Sequence, residues 1–379
     1  MEREAAPPLD IERKGSFSSH RGRSVYPVPA SSSYEEMPPR ASRISWLIPL
    51  FVVANVIVFI VTMYVNNCPK NSFNCRLTFL KRLSFESLRD NPLLGPSSET
   101  LKKMGALNST LVVKRHQGWR LISCMWLHAG VLHLLANMIC LLLIGIRLER
   151  EFGFVKIGLL YLLSGFGGSL LSALFIQDRI SVGASGALFG LLGAMVSELI
   201  TNWSIYSNKI AALITLVIII GINLAVGILP HVDNFAHIGG FVSGFLLGFV
   251  LLMRPQLGWV RHQGHAGMPG GAPVKSRHKI YQIVLLIVAV LLLVAGYSTA
   301  IALLYKEVDV NKKCSWCHYL SCVPTSHWNC NGSKTFECEV CSSLSFCFSI
   351  FSASLRNRRR PRSCMIAFDF HTFSGFAAV

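Results

Sequence analysis

Residues 234–253 read NFAHIGGFVSGFLLGFVLLM. No Asp, Glu, Lys or Arg interrupts them, and a helix needs about 20 such apolar positions to cross a bilayer. After Asn234 and His237 the run places Gly240, Gly244 and Gly248 four residues apart. At 3.6 residues per turn those glycines lie on the histidine's own face, and a stripe of small residues lets another helix backbone approach closely. An imidazole at the head of such a stripe is where the fold and the chemistry meet.

Six further runs have the length and polarity of a span: about Trp46–Val65, 126–147, 155–176, 182–200, 209–229 and 280–305. Composition agrees. Of 379 residues 52% are hydrophobic and only 15% charged, against roughly a quarter charged in a soluble domain. The net charge of +17 is concentrated between the runs. A soluble enzyme is excluded, as are a nucleic-acid binder and a disordered tail protein. The fold class is an all-α polytopic membrane protein, with six core spans and one additional C-terminal transmembrane helix.

The expected organisation has five parts. Residues 1–43 are a Ser-, Pro- and Arg-rich disordered arm, and 44–253 are the six-span core, including a long polar loop at 66–122. A basic linker follows at 254–279, then the seventh span at 280–305 and a Cys-rich tail at 306–379. The arm is no transit peptide, because Glu2, Glu4, Asp10, Glu12, Glu35 and Glu36 nearly balance its basic residues. Short loops fix orientation through their cations. Arg40 and Arg43, then Arg147, Arg150 and Lys156, then Arg254, Arg261, Lys275, Arg277 and Lys279 all fall on one side if the spans alternate. That side is the cytosol, which holds the N-terminus, and the tail is lumenal. The loop at 66–122 carries ten basic residues on the other side.

Polar residues inside a span are functional candidates by default. His133 and Asn137, Ser185, and His237 enter three different spans from the same face and at similar depth. A serine hydroxyl becomes a nucleophile when an imidazole within about 2.6–3.2 Å takes its proton. Gly183, Gly186 and Gly190 on the fourth span answer the stripe on the sixth, so Ser185 and His237 can meet. A tetrahedral intermediate also needs donors for its oxyanion. His133 and Asn137, at i and i+4 on one helix face, and the Ser185 N–H at a helix start supply three. Phe189 offers a ring for His237 to pack on, and Asp233, just outside the span, is not required as a third triad member.

Gly183-Ala184-Ser185-Gly186, His133-x-x-x-Asn137, Trp119-Arg120 and Ala236-His237-Ile238-Gly239-Gly240 together resemble the rhomboid intramembrane serine proteases. The resemblance covers roughly residues 44–305, with the seventh span of the eukaryotic secretase-type members, and is strongest to plant rhomboid-like proteins. It implies a rhomboid-like six-helix core, Ser185 as nucleophile and His237 as base. It also implies His133 and Asn137 at the oxyanion, and Trp119 and Arg120 ordering the first loop. Asn234 occupies a position that relatives often fill with Asn. At Phe189 many relatives have Tyr, so the ring is kept and a hydroxyl lost. The expected partners are single-span membrane proteins as substrates and the surrounding lipid, in a Golgi or related secretory membrane. No nucleic acid, cofactor or metal is expected.

Other chemistries lack their residues. The H-E-x-x-H of a zinc protease is absent, and the spans contain no Asp pair for an aspartyl protease. A transporter is the non-enzyme rival, and a missing intramembrane acid argues against ion coupling. A proteolytically inactive relative that binds membrane proteins is the other alternative; the presence of both Ser185 and His237 favours the active reading.

Twelve cysteines complete the pattern. Cys124 and Cys140 read as packing residues of the second span, and Cys68 and Cys75 lie in the first loop. The tail pairs Cys314-x-x-Cys317 and Cys338-x-x-Cys341 fit zinc in a reducing compartment or disulfides in an oxidising one; the lumenal assignment favours disulfides. Asn108 and Asn331 begin lumenal glycosylation sequons, and Asn202 begins a cytosolic one. The basic cluster Arg356–Arg362 has no physical account.

Overall fold

The computed structural model describes residues 44–72, 74–177, 179–203, 208–226, 232–254, 278–308, 310–314 and 316–320. The chain divides at Ala41 and Ser42 into two units, and all described residues belong to the second. The arm at 1–43, the linker core, Asn331, Cys338, Cys341 and Arg356–Arg362 lie outside them.

The elements among the described residues are helices, joined by loops that contain two isolated bridges. α1 spans Leu47–Asn66. The following loop contains α2 (Cys68–Asn71), α3 (Ser98–Met104), α4 (Ser109–Lys114) and α5 (Arg120–Ser123). α6 (Val131–Cys140) runs through a π-turn at Leu141–Gly145 into α7 (Ile146–Phe152). Then come α8 (Phe154–Phe175), α9 (Ser185–Thr201), α10 (Lys209–Val226), α11 (Asn234–Leu251), α12 (Ile280–Tyr305) and the short α13 (Val310–Lys313). Five stretches, Leu47–Asn71, Val131–Phe152, Phe154–Phe175, Asn234–Leu251 and Ile280–Tyr305, are long and apolar enough to cross a membrane, while Ser185–Thr201 and Lys209–Ala225 are shorter apolar helices. This is an all-α polytopic architecture. The second span sits about five residues later than its apolar run suggests, because residues 124–126 form a separate turn.

α8, α9 and α11 pack as a central trio, and their small residues set the spacing. A Cβ on Gly240 would lie 2.0 Å from the Gly186 carbonyl oxygen, and one on Gly244 2.1 Å from that of Gly190. A Cβ on Gly168 of α8 would lie 2.6 Å from the Ala236 carbonyl oxygen. These approaches exclude any side chain larger than hydrogen. Gly248 meets Ala194 and Ser197, so the fourth-span partner there is not glycine.

α1 leans on the trio's flank, and its start is tied down by one carboxylate. Glu149 Oε1 accepts from the N–H groups of Trp46 and Leu47 at 3.0 and 2.9 Å, and Oε2 from the Ile48 N–H at 3.0 Å and the Ser45 hydroxyl at 2.5 Å. A helix start leaves its first N–H groups without intrahelical partners, and Glu149, 1% exposed, satisfies them from another helix. Ile48 then presses on Gly145 of the π-turn, where a Cβ would come within 2.8 Å.

α12 is mostly outside the core. Ile283, Val284, Ile287, Leu291 and Val294 are about half exposed, a lipid-facing surface. Polar contacts hold it: the Tyr281 hydroxyl and the Gln282 amide donate to the Thr201 carbonyl, at 2.7 and 3.3 Å, and the Tyr297 hydroxyl to the Leu163 carbonyl at 2.9 Å.

Three sequence expectations change. The loop at 66–122 is not merely a polar connection. A Cys68–Cys75 disulfide closes its start. Buried Asn66 donates to Glu86 at 2.8 Å and accepts from the Ser97 N–H at 3.0 Å. An intramembrane acid does exist: Glu198, in the last turn of α9, is buried and lies 3.5 Å from Arg254, which also pairs with Glu151. It sits at the opposite helix end from Ser185. Cys140 is disulfide-bonded, not a simple packing residue, whereas Cys124 is a buried free thiol. Cys314 and Cys317 form a disulfide; the sequence favours disulfides over zinc for the tail but does not show which cysteines pair. Asn202 is fully buried.

Glu149→Gln is expected to lower stability in detergent by about 1–3 kcal/mol, since a charge-assisted cap is lost and a buried amide nitrogen then faces N–H donors. Thermal unfolding of wild type and variant side by side checks this.

Candidate active site

Ser185 is the first residue of α9, and His237 lies one turn into α11. The Ser185 hydroxyl and His237 Nε2 are 3.0 Å apart, within the range for proton transfer. The distance follows from the glycine contacts above, because α9 and α11 touch backbone to backbone one turn below. Phe189, one turn after Ser185, stacks on the imidazole with ring centroids 4.4 Å apart and planes 13° from parallel. His237 Nδ1 has no hydrogen-bond partner among the described residues. The ring is therefore oriented by an aromatic face on one side and Ser185 on the other, with no carboxylate behind it.

Gly183 has φ +131, a conformation that favours glycine. It is not part of the helix–helix stripe, as its spacing suggests, but precedes α9 and faces α6. A Cβ there would stand 2.8 and 3.0 Å from His133 Cε1 and Nε2, and 3.7 Å from Asn137 Nδ2. His133 and Asn137 thus converge on the backbone two residues before Ser185. Asn137 is buried, and its Nδ2 donor has no partner among the described residues. Beside it the first N–H groups of α9 lack intrahelical acceptors. Donors gather here without an acceptor, which is what a developing oxyanion requires.

The entry to Ser185 is held from two directions. Leu107 and Ser181 exchange backbone hydrogen bonds, both 3.0 Å, and the Gly183 N–H donates to the Cys124 carbonyl at 3.0 Å. These bonds stitch the segment to the first loop, which Arg120 organises. Arg120 is buried and donates to the carbonyls of Lys102 and Ala106, both at 2.8 Å, and to Gln117 at 2.6 Å. Burial lowers the pKa of its guanidinium. Trp119 is half exposed, with the Arg120 guanidinium 4.9 Å from its ring centroid and its edge on Gly105.

Asp233 has a role that sequence reasoning missed. Its Oδ1 accepts from the Ala236 N–H at 2.9 Å, capping α11, while Oδ2 accepts from the Ser181 hydroxyl at 2.5 Å and from that of Ser172. Burial pushes the carboxyl above its ordinary range, against the pull of these three donors and of the Arg179 charge. Ser181 lies four residues before Ser185, and Asp233 four before His237. One carboxylate therefore joins the approaches to both side chains, and it points to serines, not to the imidazole. The signal available in the sequence was Asp233's place immediately before a span. His128 was also missed. It is 1% exposed, lies edge-on to His133 at 5.3 Å, and has no ring hydrogen-bond partner among the described residues. Asn234 donates to the carbonyls of Leu224 and Leu320, at 3.2 and 2.8 Å, tying α11 to α10 and the tail. No group of three or more His, Cys, Asp or Glu suited to a metal occurs among the described residues.

The rhomboid domain model matches residues 115–254, the segment that holds Trp119, Arg120, His133, Asn137, Gly183, Ser185, Phe189 and His237. RHOMBOID-like protein 1 of Arabidopsis thaliana is 60% identical over 308 residues, 81% of this chain and 79% of its own length. RHOMBOID-like protein 2 of the same plant is 57% identical over 85% of this chain and 99% of its own. A protein named inactive RHOMBOID-like protein 8, also from Arabidopsis thaliana, is 39% identical over 87% and 90%. The chain is a multi-pass integral membrane protein, and it belongs to the rhomboid family.

Proposed function

We propose that the protein is an active intramembrane serine endopeptidase that cleaves single-span membrane proteins within or next to their transmembrane segment. The observation that carries this is the 3.0 Å contact between Ser185 and His237, together with the stacked Phe189 ring. The family also contains a protein named inactive, and an inactive member would be expected to lack the nucleophile or the base.

His237 Nε2 takes the Ser185 proton as Oγ attacks the scissile carbonyl carbon. The electron pair of the C=O bond moves to oxygen, giving a tetrahedral oxyanion beside Asn137, His133 and the α9 N-terminus. The intermediate collapses, the C–N bond breaks, and His237 returns the proton to the leaving nitrogen. Water then enters, loses its proton to His237 and attacks the acyl carbon. Collapse restores the Ser185 hydroxyl and frees the new carboxyl terminus. No cofactor enters any step. A substrate must unwind locally, because a regular helix keeps its carbonyls hydrogen-bonded and shielded.

The resemblance to plant rhomboid-like proteins supports a secretory, Golgi-type membrane, and the cation distribution supports a cytosolic N-terminus with the Ser185 end lumenal. A similar protein is named RHOMBOID-like protein 6, mitochondrial, so compartment is tested separately.

Purified protein should cleave a single-span reporter in liposomes, with no cleavage by Ser185→Ala or His237→Ala. Asn137→Ala should lower kcat roughly 10²–10³-fold, the loss typical of an oxyanion donor, with little change in KM. Equal cleavage by all variants would refute the assignment. In the second prediction, a glycosidase-sensitive mass shift disappears in Asn108→Gln; expression in a secretory membrane with Asn108 unmodified and accessible only from the cytosol would reverse the orientation.

A further inference from the structure

Arg120 apart, the cations of the first loop are not used by the site. Among them, residues 68–85 contain Lys70, Arg76, Lys81 and Arg82 and no acid. All four are exposed, and none has an ion-pair partner among the described residues. They surround a finger that a disulfide and several hydrogen bonds fasten. Its base is closed by the Cys68–Cys75 disulfide. Arg76 and Phe85 exchange backbone hydrogen bonds at 2.8 and 3.1 Å, and the Ser84 hydroxyl fastens the turn by donating to the Lys81 and Leu77 carbonyls at 2.6 and 3.2 Å. A finger fixed in this way nonetheless turns apolar side chains outward: Phe79 is 74% exposed and Leu77 48%.

Its position explains the exposure. α1 leaves the apolar layer at Asn66, and the finger begins directly after it. Arg82 donates to the Tyr64 hydroxyl at 2.6 Å and lies 4.2 Å above the Tyr64 ring centroid. Tyr64 is in the last turn of α1, where aromatic side chains sit at headgroup level. That contact sets the finger's height at the membrane surface, with Phe79 and Leu77 free to enter the acyl boundary and the cations free to reach phosphates. Apolar residues flanked by Lys and Arg are the composition of an interfacial anchor.

We infer that residues 74–85, with Lys70, form a clasp for anionic phospholipid headgroups in the leaflet next to the Ser185 end. Charge complementarity selects the headgroup, since four exposed cations on a stretch that holds no acid attract a negative surface more than a zwitterionic one. The clasp gives a use to four of the ten basic residues that the loop carries on the side where positive charge is unexpected. It does not rest on the protease reading, because it is read without catalysis.

The test is native mass spectrometry of the full-length protein taken from mixed nanodiscs of phosphatidylglycerol and phosphatidylcholine. Arg76→Gln/Lys81→Gln leaves Arg82 on Tyr64 and should retain phosphatidylglycerol on the order of tenfold less than wild type. Lys102→Gln/Lys114→Gln, elsewhere on the same loop, should retain it as wild type does. Phe79→Ser should shorten retention of both lipids. An Arg76→Gln/Lys81→Gln variant with undiminished retention would overturn the clasp, as would an equal loss in the Lys102→Gln/Lys114→Gln control. Unchanged lipid retention together with lost crosslinking to an acid-flanked single-span peptide would overturn it too, in favour of a substrate-docking surface.

Discussion

The structure depends on the direct backbone contact of α9 with α11. Gly186 against Gly240 and Gly190 against Gly244 leave no room for even a methyl group. Without a hydrophobic force between helices in lipid, such close packing is the main source of association. It also sets the geometry on which the proposed chemistry rests. Ser185 and His237 stand at the same end of these two helices, so a wider crossing would carry the hydroxyl beyond reach of the imidazole. Fold and the proposed reactivity share one geometric constraint, and the same glycines serve both.

A contact of two helices sets distance but not rotation or depth, and the loop before the second span supplies these. Arg120 binds three acceptors in the loop, Leu107 pairs with Ser181, and Asp233 joins Ser181 to the start of α11. Each bond lies within a turn of Ser185 or His237, or supports one that does. The arrangement is stiff where the reacting groups sit and apolar where lipid surrounds it. α12 follows the same division, with an apolar outer face and polar anchors at Tyr281, Gln282 and Tyr297.

The sequence shows much of this and hides the rest for physical reasons. Spans are legible because about 20 uncharged, apolar residues in a row are rare outside a bilayer, and α12 matches its apolar run to the residue. Ser185, His237, His133, Asn137 and Phe189 stand out because polar or aromatic groups at helical spacing inside a span need a purpose. The stacking of Phe189 on His237 follows from a one-turn offset. The spacing of Gly183 fits the stripe, but the helix starts only at Ser185, and a positive φ cannot be read from a glycine letter. The interior of the 66–122 loop is hidden because its order comes from partners far apart in sequence, such as Asn66 with Glu86 and Arg120 with two carbonyls, which leave no periodicity. Glu198 is hard to read as an intramembrane acid because it sits at the end of its apolar run, where a charge ordinarily marks the return to water.

The central claim is that packing α11 against α9 makes the Ser185 hydroxyl a nucleophile. The most direct measurement is covalent labelling of the full-length protein by a fluorophosphonate, with the modified residue located by peptide mass spectrometry. The account predicts modification at Ser185 in wild type and its loss in His237→Ala with the fold retained. A folded wild type that leaves Ser185 unlabelled, or labelling that persists undiminished without His237, would contradict it.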